Sequence, residues 1–183
     1  SMVESNGKIF MLVDMFPAST GLGQDDSINN ETAGTGYFKK GDKNYLELTS
    51  TSGVKHYADE NGDVYLQSNG AKTDYKVVLK SEKQPFSDLG DLYKGGQKIG
   101  NVYLKDAELK VKKTAYLWLL TSEDDGKTWS SPVDITPQVK ADWMKFIGTG
   151  PGTGLKLANG RLVFPIYFSN QYSQMSAALV YSD

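Results

Sequence analysis

The chain consists of short apolar runs separated by clusters of turn residues, the texture of antiparallel β-structure. The densest run, residues 8–14 (KIFMLVD), has apolar side chains at consecutive positions, so it predicts a strand covered on both faces or nearly so. From about Gly23 to Thr35 the composition shifts to Gly, Asn and Asp with too few apolar residues to build an element, which reads as a loop or linker. Between residues 36 and 101 short strand-like runs alternate with strong turns. Tyr37-Phe38 precedes the turn Lys40-Gly41-Asp42-Lys43, Tyr45-Leu46-Glu47-Leu48 follows, and Asn61-Gly62 and Asn69-Gly70 are hairpin signals ahead of Val64-Tyr65-Leu66 and Tyr75-Lys76-Val77-Val78-Leu79. Residues 114–120 (TAYLWLL) predict a further buried strand. No long helical period exists; Val139, Met144 and Phe146 permit one short helix after Pro137. The fold class is therefore all-β.

Composition narrows the partners. With 183 residues, 39% of them hydrophobic, and 19 Gly, 11 Tyr and 6 Pro, the chain has enough apolar matter for a core and enough turn formers for many strands. A formal charge of −2 supplies no basic field, so neither nucleic acid nor an acidic membrane surface is expected as a partner. No apolar run approaches the roughly 20 residues that span a bilayer, so no membrane insertion is expected. Cysteine is absent, which fits secretion without disulfides and equally other compartments. Ser1-Met2 reads as an expression remnant and takes no part in the fold reasoning.

The octet Ser122-Glu123-Asp124-Asp125-Gly126-Lys127-Thr128-Trp129 has the spacing S-x-D-x-G-x-T-W of an Asp box. Lying between two strand-like runs, it predicts a hairpin turn in which Ser122, Asp124 and Thr128 hydrogen-bond the turn backbone, Gly126 takes a positive φ and Trp129 is buried beneath. The acidic residues in it lack the D-x-D-x-D-G pattern and distal Glu of a calcium loop, so no metal is expected. His56 is the sole histidine, which excludes multi-histidine metal sites and leaves serine-type catalysis without support; it reads as a surface residue. Gly148-Thr149-Gly150-Pro151-Gly152 is no phosphate loop, since no Gly-Lys-Ser/Thr follows and Pro151 removes a backbone donor.

Further motifs stand in a fixed order around the octet: Asp14-Met15-Phe16-Pro17, Thr73-Asp74-Tyr75, Gly90-Asp91-Leu92-Tyr93-Lys94-Gly95, Asp134-Ile135-Thr136-Pro137, Lys140-Ala141-Asp142-Trp143-Met144-Lys145-Phe146, residues 148–154 and Phe164-Pro165-Ile166-Tyr167. Together they resemble the secreted Gram-positive sialidases of glycoside hydrolase family 33, including the intramolecular trans-sialidase type, along nearly the whole length. The resemblance implies part of a six-bladed β-propeller much longer than 183 residues, with a small antiparallel β domain inserted. Residues 3–22 would be a propeller strand segment, 23–101 a linker and the inserted domain, and 102–183 propeller strands with the Asp box. Tyr181-Ser182-Asp183 looks like the start of a second box. The implied function is an exo-α-sialidase (neuraminidase), secreted or attached to the cell surface, that cleaves terminal sialic acid from sialylated glycans as a monomer without a cofactor. The alternative is a carbohydrate-binding or purely structural β insertion module. Exposure of Tyr45, Tyr57, Tyr65 and Tyr75 on one face would favour glycan binding.

Catalytic residues are expected to lie elsewhere. Family members hold the substrate carboxylate with three arginines, whose planar forks match it as lysine does not. This chain has one arginine, Arg161. The family's tyrosine nucleophile with its glutamate falls downstream and its aspartate acid/base upstream, so the chain alone is expected to be inactive. By the same resemblance the substrate-pocket wall falls on Phe16, Leu22, Tyr167 and Gln174, with Met175 as the alternative to Gln174 because the loop is shorter here, and Phe16 equally readable as a packing residue.

Overall fold

A computed structural model describes residues 1–18, 20 and 32–182. In chain order its elements are β1 (Met2–Ser5), β2 (Lys8–Met15), β3 (Tyr37–Lys40), β4 (Lys43–Ser50), β5 (Lys55–Ala58), β6 (Asp63–Leu66), β7 (Lys72–Val77), β8 (Asp91–Lys94), β9 (Gln97–Asn101), β10 (Leu109–Val111), β11 (Tyr116–Ser122), β12 (Val133–Asp134), α1 (Thr136–Val139), β13 (Ile147–Thr149), β14 (Leu155–Lys156), β15 (Leu162–Ser169) and β16 (Met175–Tyr181). All the named pairings are antiparallel.

Three sheets result. The first has the order β1-β2-β11-β12; the second runs β10-β4-β5-β6-β7-β8-β9 with β3 also on β4; the third is β13-β15-β14 with β16 also on β15. Within the second sheet β3 and β10 share β4: Tyr37 to Lys40 pair with its first half and Leu109 to Val111 with its second. Sequential hairpins account for β3 to β9, as the turn signals require, and β10, beyond Asn101 in the chain, adds to β4 at the far end from β9.

The first sheet is the shared layer. Strand alternation sends successive side chains to opposite faces, so β11 gives Tyr116 and Trp118 to one cluster and Leu117 and Leu119 to the other. On the first side lie Leu46, Leu48, Val64, Val77, Leu92 and Leu109 of the second sheet; on the other lie Phe146, Ile147, Leu162, Phe164 and Ile166 of the third sheet and its approach. Strand β2 divides likewise, Met15 going to the first cluster and Phe10 and Leu12 to the second. It serves both faces as its apolar run implies, although only Leu12 on it is fully buried. The short helix starts where expected, with Pro137 in its first turn and Asp134 Oδ1 accepting the Thr136 amide at 2.9 Å.

One sequence expectation is corrected. His56 is buried, not superficial, because its strand position faces the core between Leu48 and Leu66; its ring meets Tyr75 edge-on at 6.3 Å and Nδ1 lies 3.1 Å from Val54 O. The four insertion tyrosines, whose exposure on one face would have favoured glycan binding, do not share one face. Tyr45, Tyr57 and Tyr65 share the face away from the core, whereas Tyr75 packs against the first cluster. Tyr57 is only 5% exposed, because Phe38, Tyr45 and Tyr65 lie within 5.3 Å of its ring, centroid to centroid.

Candidate substrate-pocket wall

Phe16 and Tyr167, from opposite ends of the chain, meet on one ring. Phe146 is fully buried; Phe16 stacks on it at 6.0 Å and 14° between planes, and Tyr167 packs at 5.0 Å and 41°. Both outer rings are half-buried, so each combines a packed side with a wet side. Burial, and secondarily the charge of Asp14, raise the Tyr167 phenol above its ordinary value, so Tyr167 here is a neutral hydrogen-bonding group near pH 7 and not a ready nucleophile.

The backbone around Phe146 is held from both sides. Asp14 Oδ1 accepts the Thr149 amide at 2.6 Å, tying the end of β2 to β13. A Cβ on Gly148 would stand 2.6 Å from Phe146 Cζ and 3.0 Å from Asp14 Oδ2, so only glycine lets β13 lie this close. Lys140 is 4% exposed, and its ammonium donates to Thr114 Oγ1 (2.5 Å), Ala115 O (3.2 Å) and Lys145 O (2.7 Å). It thereby straps the residue before Phe146 onto the entry to β11. Neither Phe146 nor Lys140 stood out in the sequence as part of this site. The available signal was the adjacency of Lys145-Phe146-Ile147-Gly148, a buried aromatic followed by a glycine, which carries its meaning only once Phe16 is placed opposite.

Gln174 is exposed and lies in the β15–β16 turn, where its side chain accepts from Asn170 Nδ2 at 2.9 Å and its amide donates to Asn170 Oδ1 at 3.1 Å. It therefore closes its own turn and is not brought onto the Phe146 stack; Met175 is also exposed. Leu22 lies outside the described residues. Arg161 sits over the Tyr181 ring at 4.6 Å, six positions along β15 from Tyr167, or about 20 Å at the strand repeat.

The octet 122–129 forms the connection from β11 to β12. Ser122 Oγ accepts the Gly126 amide at 2.9 Å and donates to Asp124 Oδ1 at 2.8 Å; Asp124 accepts the Thr128 amide (2.9 Å) and hydroxyl (2.6 Å). Gly126 has φ +83°. Trp129 donates its indole N–H to Gly126 O at 3.1 Å and is half-buried: it lies against the turn and not inside either core cluster. Ser122 pairs with Ile9 and Tyr116 with Met15, so the octet lies about 20 Å along the sheet from Phe16. That distance separates it from the pocket wall.

The fold defines a class. The BNR repeat-like domain family matches residues 1–183, and the chain belongs to it. Among known proteins it is similar to the anhydrosialidase of Macrobdella decora, with 28% identity over 202 residues covering 96% of this chain and 25% of that protein. It is likewise similar to sialidase B of Streptococcus pneumoniae, with 29% identity over 195 residues, 96% of this chain and 27% of that one. The intramolecular trans-sialidase of Ruminococcus gnavus, solved with oseltamivir carboxylate, superimposes with a TM-score of 0.73 at 25% identity, covering 96% of this chain and 41% of the other. The chain thus spans about a quarter of the length of these two curated relatives, and its sheets are part of a sialidase β-propeller fold.

Proposed function

We propose that this chain is part of a secreted exo-α-sialidase that removes terminal sialic acid from glycoconjugates, with a hydrolytic or trans-sialidase outcome. The observation that carries the reading is the likeness of fold and sequence to sialidases along 96% of the chain. In this reading the eight-stranded sheet is an insertion into the propeller. Phe16 and Tyr167, seated on Phe146, form a preorganised stretch of pocket wall. A structural role for the insertion is favoured over glycan stacking on its Tyr57 face, because those rings are spent on one another.

The arginine content divides the work. A chain with Arg161 alone lacks the guanidinium forks that a sialic acid carboxylate demands, so these residues position substrate and do not turn it over. A full-length protein containing this chain is expected to release the fluorophore from a fluorogenic sialoside, the 183-residue chain to release none, and Tyr167→Ala in the full-length protein to raise KM several-fold more than it lowers kcat. Absence of turnover by a correctly folded full-length protein would reject the assignment.

A further inference from the structure

On the opposite side of the shared sheet from Phe146, a cleft of about 540 Å³ opens between the second sheet and the β11–β12 connection. Its walls are aromatic. Tyr37 comes from the β3–β4 hairpin, on the face opposite the Tyr45–Tyr57 rings, and Tyr103 meets Trp118 edge to face at 5.7 Å. Asp134 braces them: its carboxylate accepts the indole N–H of Trp118 at 3.3 Å and the Thr136 amide at 2.9 Å, and the Tyr37 hydroxyl bonds to it as well. Walls from two sheets are thus fixed by one side chain, so the cleft is preformed.

Its charge selects among ligands. Asp59, Glu60 and Asp134 face Lys43 and Lys80, and Lys43 is already bound to Glu60 at 2.6 Å. The excess is negative, which disfavours anionic ligands, sialic acid included. A methylated ammonium needs rings closing on a small cation, and this space is several times too large for one. What remains is a ligand with apolar C–H faces for the rings and hydroxyls for the phenols, the carboxylate and the exposed Asn44 amide at the rim.

We propose that the cleft between Tyr37, Tyr103 and Trp118, braced by Asp134 and rimmed by Asn44, is a binding site for an uncharged sugar ring. It is separate from the Phe16–Tyr167 wall and does not depend on sialidase activity. Saturation-transfer NMR on the 183-residue chain with lactose, N-acetylneuraminic acid and tetramethylammonium tests it. Transfer to lactose is expected with a dissociation constant on the order of millimolar, weakened about fivefold or more by Asn44→Ala. Asn44 is exposed, so its truncation leaves the melting temperature unchanged and the comparison reports binding alone. No transfer to lactose at about 20 mM, transfer undiminished in Asn44→Ala, or a stronger response to N-acetylneuraminic acid or tetramethylammonium would each overturn the proposal.

Discussion

Asp124 is half-buried, and three donors converge on it: the Thr128 hydroxyl, the Thr128 amide and Ser122 Oγ. They hold its carboxyl at about 2, below the ordinary value of 3.8. Because the folded value lies below the unfolded one, its stabilisation is complete above about pH 4 and is lost as pH falls from 4 towards 2. The melting temperature is therefore expected to drop across that window, and Asp124→Asn to flatten the drop while lowering stability at pH 7. An unchanged acid profile in Asp124→Asn would mean that the turn does not depend on the ionised carboxylate. Trp129→Ala, truncating a half-buried ring, is expected to cost about 2 kcal/mol, less than the 3–5 of a fully buried one. Asp125 has φ +58°, a conformation in which Ala is strained and Gly is not, so Asp125→Ala should lower the melting temperature slightly and Asp125→Gly raise it. The octet was legible in sequence because its bonds span two to four residues. The burial of Trp129 was not, because it depends on what packs from outside.

At the scale of elements, Lys140 decides how the approach to β13 meets β11. Replacing it with Met keeps the stem but takes the ammonium donor from Thr114 Oγ1 and Ala115 O and leaves Lys145 O with the Thr114 hydroxyl alone. Relief of the desolvated ammonium offsets part of the loss, and a net destabilisation of about 2 kcal/mol is expected in urea unfolding. A midpoint equal to or above that of the parent chain would show that the strap contributes nothing. Hairpins between β3 and β9 follow from Asn-Gly and Gly signals that act locally, so they could be read from the chain. The pairing of β10 with β4, the central place of Phe146 and the burial of Lys140 join residues far apart in sequence, and no local pattern encodes them. The resemblance pointed to Phe16 and Tyr167; that both pack on Phe146 shows only in the geometry.

For the whole molecule, the alternation along β11 has a thermodynamic consequence. Tyr116 and Leu117 are both fully buried, one in each cluster, so neither cluster survives the loss of this strand. The three sheets are therefore expected to unfold as one cooperative unit instead of as an inserted domain melting apart from propeller strands. Two tryptophans report separately: Trp118 packs on the first cluster, and Trp143 lies edge-on to Phe168 of β15 at 5.5 Å. In urea, single-tryptophan variants retaining Trp118 or Trp143 should show coincident midpoints matching far-UV circular dichroism. Leu117→Ala, which opens a cavity in the second cluster alone, should cost about 2–5 kcal/mol and move both midpoints together. If Trp143 responds to Leu117→Ala while Trp118 keeps its midpoint, the two cores are independent, and the shared sheet acts only as a covalent tether between them.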